Sequence, residues 1–103
     1  MSFGLDRERR LRRVLSDAGW TAIRASKGPV DLVCCQAVLT DDGPLSEVRF
    51  VQVKGSARGP YHAFGPQDRA ILRELARGCG ATAWLIWWPP RRGWQWIGQS
   101  EWP

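Results

Sequence analysis

Apolar positions along the chain keep two different rhythms, and the places where the rhythm changes divide it into seven elements. Residues 5–18 repeat every three to four positions, with Leu11, Val14, Leu15 and Ala18 on one stripe. That period predicts an amphipathic helix, which Gly19 ends. Residues 20–24 read as a short strand, followed by a turn-rich segment over 25–29. Residues 30–35 are then almost continuously apolar around a single aspartate, Asp31, the pattern of a strand covered on both faces. The run Asp41-Asp42-Gly43-Pro44 is a strong turn, so the segments on either side of it should pair as a hairpin whose second strand covers 48–54. Glycines and prolines scattered among polar and aromatic residues over 55–66 predict a flexible loop of the kind that borders functional sites. Pro66 opens a second helix, in which Ile71, Leu72, Leu75 and Ala76 hold the period and Gly78 and Gly80 stop it. Residues 81–88 predict a buried strand, and 94–97, beyond Pro89, Pro90 and Gly93, an edge strand. The order is helix, three strands, helix, two strands: an α/β fold with one sheet flanked by helices.

Length and composition sharpen this picture. A chain of 103 residues has room for one domain, 1–103, with a modest core, which makes a homodimer plausible. Seven tryptophans exceed what so small a core needs, so some are expected on a surface that meets a subunit or a ligand, with Trp88, Trp94, Trp96 and Trp102 as the candidates. The net charge of +5 is carried mostly by arginine, whose guanidinium fork grips phosphate oxygens; a polyanion is the natural partner, and a soluble domain rich in arginine is the plainer alternative. Cys34, Cys35 and Cys79 form neither a CxxC pair nor a metal-ligand spacing, which fits a reduced, intracellular protein. Charge from Asp6 onward and the absence of a long apolar stretch predict neither secretion nor membrane insertion, and hence a cytoplasmic location.

Four positions carry candidate chemistry. Asp31, inside an apolar run, needs a compensating partner: a divalent cation is the functional answer, and an ion pair with Arg24 or Lys54 the structural one. Gln52 and Lys54 lie two apart on a strand and so share a face with Phe50, which places an amide oxygen able to bind a hard cation beside an ammonium. Glu8 precedes Leu11 by three positions and Leu15 by seven, which aims its carboxylate at the sheet rather than at solvent. Arg9, Arg10, Arg12 and Arg13 fall mainly on the flanks and outer face of that helix, where they could hold phosphates. His62, alone in the loop, and Gln67, in the first turn of the second helix, read more simply as solvent-facing polar residues.

These residues, in this order, resemble the PD-(D/E)xK nucleases: Pro29-Val30-Asp31, a spacer, then Gln52-Val53-Lys54. In detail the chain is similar to archaeal-type Holliday junction resolvases. The likeness rests on Glu8-Arg9, Gly19-Trp20, Ile23-Arg24, Val30-Asp31-Leu32-Val33, Val51-Gln52-Val53-Lys54 and Gly93-Trp94-Gln95-Trp96-Ile97. It implies a restriction-endonuclease-like core, a homodimer, and nicking of four-way DNA junctions that depends on Mg2+, with Mn2+ as a substitute. It also implies that Glu8, Asp31 and Gln52 hold the metal and that Lys54 activates water. Arg9, Arg10, Arg13, Arg24, Lys27 and Arg58 are the expected contacts to DNA, and the nucleoid of a microbe or virus the expected setting. Gln52 departs from the pattern, because glutamate usually stands there. Two alternatives therefore accompany the resolvase reading: a small nickase with a glutamine-x-lysine triplet, and a DNA-binding subunit that keeps the fold without catalysis.

Overall fold

A computed structural model describes residues 5–25 and 28–103. Its elements are α1 (Leu5–Asp17), β1 (Thr21–Arg24), β2 (Leu32–Thr40), β3 (Gly43–Lys54), α2 (Pro66–Gly78), β4 (Thr82–Trp87) and β5 (Gln95–Gly98), followed by a 3-10 turn over Gln99–Glu101. The predicted order holds. The five strands form one mixed sheet in chain order, antiparallel except for β3 and β4, which run parallel. A parallel pair needs a crossover, and α2 with the loop before it supplies that connection.

Alternation along the strands splits the core in two. Val51, Val53 and Ile86 join Leu11 and Leu15 of α1 on one face, whereas Phe50, Ala83 and Leu85 meet Leu72 and Ala76 of α2 on the other. On α1 the stripe is narrower than its period suggests: Leu11 and Leu15 are buried, Val14 is half-buried, and Ala18 is exposed. The helix stops at Asp17, and Gly19 takes a φ of +96°, so the chain turns Ala18 outward while Trp20 donates to the Leu15 carbonyl at 2.9 Å and folds under the helix. On α2 only Leu72 and Ala76 of the expected apolar set reach the sheet. Ile71 and Leu75 flank the contact line and stay 43% and 42% exposed.

The hairpin is longer than its apolar pattern implies, because β3 starts at Gly43 instead of Val48. Its two-residue turn, Asp41 and Asp42, connects the pair Thr40 and Gly43. β4 joins β3 only from Arg49 onward, so Pro44 sits where β3 has a neighbour on one side, and its missing N–H is tolerated there.

The tryptophans correct a further expectation. All seven are buried or half-buried, and Trp102, expected at a surface, is 6% exposed, stacked edge-on against Phe64 at 5.1 Å. The side-chain surplus is absorbed by a cation: the Arg49 guanidinium lies 3.6 Å from the ring centre of Trp84 and 4.4 and 4.6 Å from those of Trp20 and Trp96. Glu47 completes the cage with a 2.9 Å ion pair to Arg49. A hydrogen bond from Gln36, and then the bond from Arg49, hold the Glu47 carboxyl below the usual carboxylate range. Gly98 faces the same cage, since a Cβ there would stand 3.1 Å from the Trp84 ring. Among the described residues, no helix is long and apolar enough to cross a membrane.

Candidate active site

Glu8, Asp31, Gln52 and Lys54 meet at one end of the sheet, outside the carboxyl ends of β1, β3 and β4. Asp31 stands one residue before β2, not within it. Its own backbone still bridges both neighbours: its N–H donates to the Val51 carbonyl at 2.8 Å, and its carbonyl accepts from Ala25 at 2.9 Å. The ladder ends there because the aspartate side chain takes over, Oδ2 accepting the Val53 N–H at 2.7 Å.

The same Oδ2 accepts from Gln52 Nε2 at 3.0 Å. Both bonds fall on one carboxylate oxygen, which leaves Oδ1 and the Gln52 amide oxygen as lone-pair donors on that side of the pocket. Burial pushes the Asp31 carboxyl above its ordinary range; the Val53 N–H and the charge of Lys54 pull the other way, and the charge of Glu8 adds to the rise. Those two charges act on Asp31 because both side chains lie close to it. Glu8 and Asp31 therefore form an acidic pair from different elements, with one ammonium beside them.

Glu8 is held as its position on α1 predicts, its side chain only 14% exposed. The surprise is its partner. Arg24, offered by the sequence as a counterion for Asp31, ends β1 on the α1 side, where its cross-strand mate is the buried Leu32, and its Nε lies 3.4 Å from Glu8 Oε1. That contact makes no hydrogen bond, and Glu8 Oε1 is a buried oxygen without one. An anionic oxygen left in this condition is costly, and a cation placed beside it would relieve that cost.

A divalent cation fits this donor set. Glu8 Oε1, Asp31 Oδ1 and the Gln52 amide oxygen are hard oxygen donors of the kind Mg2+ and Mn2+ take. Among the described residues no group of three His, Cys, Asp or Glu side chains gathers, because the third place is filled by the neutral Gln52. With Lys54 and Arg24 alongside, the pocket's charges balance, whereas a glutamate at 52 would leave it net negative. Thiol chemistry is not available nearby: Cys34 is buried, and burial pushes its thiol up to about 12.

Most of the expected DNA contacts lie at the surface. Arg9, Arg10 and Arg13 are exposed on α1, Arg24 is 57% exposed, and Arg58 is exposed in the loop that follows β3. Lys27 lies outside the described residues. His62 and Gln67 are exposed, as their simpler readings have it. Two arginines escaped the sequence reading. Arg69, 8% exposed, donates to the Phe64 carbonyl at 2.9 Å and fixes the loop ahead of α2. Arg7 donates to the Trp88 carbonyl at 2.9 Å. No sequence signal distinguishes either from the other arginines of its helix, since both partners are backbone oxygens, five residues away for Arg69 and 81 for Arg7.

No protein-family model matches the sequence, and no curated protein aligns with it. The fold does have a counterpart. It superposes on Hjc from Archaeoglobus fulgidus, a Holliday junction resolvase from an archaeal hyperthermophile, with a TM-score of 0.72 and 25% identity, over 94% of this chain and 78% of that one. The chain is thus Hjc-like in architecture across nearly all of its length.

Proposed function

We propose, starting from this Hjc-like nuclease fold, that the chain is a divalent-cation-dependent endonuclease that nicks branched DNA, with the four-way junction as substrate and a homodimer as the acting species. The observation that carries the reading is the convergence of Glu8, Asp31, Gln52 and Lys54 on one end of the sheet, with a buried carboxylate oxygen that makes no hydrogen bond.

Glu8 and Asp31 would supply the anionic ligands for Mg2+ or Mn2+ and Gln52 a neutral one. A cation held there would neutralise charge growing on the phosphoryl oxygens as the phosphodiester is attacked. Lys54 would orient the attacking water through its ammonium. Arg9, Arg10, Arg13, Arg24 and Arg58 would seat the phosphates on either side, and with them set the salt dependence of binding. The partly accessible tryptophans of the α1 face, Trp84, Trp88, Trp94 and Trp96, are where a second copy would pack, which fits a chain too short for a large core of its own. Acting on DNA, the protein would work at the nucleoid.

Incubation of the purified chain with a synthetic four-way junction tests this. Symmetrical paired nicks are expected with Mg2+ or Mn2+ and none with EDTA; junctions left intact by both metals would sink the enzyme reading. Flaps, nicked duplex and linear duplex run in parallel distinguish a resolvase from a small nickase, which would cut those substrates as readily. Gln52 favours one further reading, a DNA-binding subunit without catalysis. In that case junctions are bound and no Mn2+ is taken up.

A further inference from the structure

We infer that Arg7 is a positioning residue, which holds Glu8 in place opposite Lys54 by clamping the start of α1 to the ends of β3 and β4. The inference rests on the nuclease reading above and adds to it a residue outside the metal and phosphate sets. Arg7 Nη2 donates to the Trp88 carbonyl at 2.9 Å, and its guanidinium lies 4.6 Å from the centre of the Trp88 ring. The Trp88 N–H in turn donates to the Lys54 carbonyl at 2.8 Å. Two hydrogen bonds therefore run from the residue before Glu8 to the backbone of Lys54.

The geometry explains why such a tie is placed here. The buried apolar contacts of α1 are made by Leu11 and Leu15, one and two turns beyond Arg7, and the far end of the helix is fixed by the Gly19 turn and Trp20. Among the described side chains of α1 ahead of Leu11, from Asp6 to Arg10, none is fully buried. Glu8 Oε1 has no hydrogen bond to hold it, and its ion pair partner Arg24 is itself 57% exposed. Without the tie the turn that carries Glu8 could shift, and a ligand displaced by about 1 Å would hold the cation less well. Arginine is suited to the task because its planar fork can donate to a carbonyl and stack on an indole together, which an ammonium cannot.

The test uses Arg7→Met, which keeps the stem and removes the fork, in the full chain. Mn2+ alone, titrated calorimetrically, is expected to bind about tenfold more weakly, the scale found for groups that orient metal ligands. Introduced into Glu8→Gln, the same change should add no further loss, since the residue acts through Glu8; a merely structural role would weaken both backgrounds alike. The slope of junction affinity against salt should stay as in the wild type. A slope reduced by about one would make Arg7 a phosphate contact and overturn the inference. Equal Mn2+ affinity in wild type and Arg7→Met overturns it while leaving the nuclease reading intact, whereas a wild type that neither binds Mn2+ nor cuts overturns both. Should Arg7→Met fail to fold, Arg7→Lys serves: it keeps charge and a donor but loses the stack, and an intermediate Mn2+ affinity is expected.

Discussion

Asp31→Asn is expected to lower junction cleavage by roughly a hundredfold or more, the scale of the several kcal/mol that a correctly held cation contributes to phosphodiester cleavage. Junction binding should persist, because the exposed arginines are untouched. The same substitution should raise the melting temperature of the metal-free protein. The Asp31 carboxyl is pushed above 3.8 chiefly by burial, so its charged form is disfavoured in the folded state relative to the unfolded one. The sign follows from linkage: between the two values the folded protein binds more protons, stability falls as pH rises, and above the raised value the penalty is present in full. Removing the charge removes the penalty at neutral pH. An asparagine can keep the Val53 bond by placing its carbonyl oxygen where Oδ2 now sits. The difference in melting temperature between variant and wild type should shrink as pH is lowered into the window that opens above 3.8, and Mn2+ should reverse its sign at neutral pH. A variant melting below the metal-free wild type at neutral pH would contradict the assignment of Asp31 as a strained ligand.

Gln52→Glu should move in the opposite sense. Gln52 now donates to Asp31 Oδ2 at 3.0 Å; a carboxylate in its place loses that bond and faces Asp31 with like charge, so the metal-free protein should melt lower. One added negative charge beside a divalent cation is worth several kcal/mol at the effective dielectric of a protein, and stripping water from that charge and from the cation takes most of it. A gain of about tenfold in Mn2+ affinity is the expected remainder, measured by calorimetry, together with cleavage at lower metal concentration. A wild type that is inactive beside an active Gln52→Glu would identify the natural chain as a binding subunit.

The element order was legible because each element depends on a local rule: the stripe of Leu11 and Leu15, the Asp41-Asp42-Gly43 turn, the Pro66 start of α2. So was the juxtaposition of Gln52 and Lys54, which the two-residue repeat of a strand enforces. What stayed hidden was set by partners distant in the chain. Arg24 turns toward Glu8 instead of Asp31 because its register opposite Leu32 puts it on the α1 face, and no local pattern states that register. Trp102 is interior because Phe64 and Ile97 wait for it, and Trp20, Trp84 and Trp96 gather because Arg49 gives them a cation to enclose. Ile71 and Leu75 satisfy a helical period and still miss the sheet, since the period fixes which side faces inward and not how wide the contact is.

The bond between Arg7 and the Trp88 carbonyl joins residues 81 apart in sequence. Closing so long a segment is entropically unfavourable until the intervening strands have paired, so this link belongs to the late events of folding. A ribosome making the chain from its N-terminus has released Glu8, Asp31 and Lys54 well before Trp88 emerges. Whatever chemistry the pocket performs, a half-made chain holds its parts without the brace, and the full arrangement waits for Trp88 to fold into place.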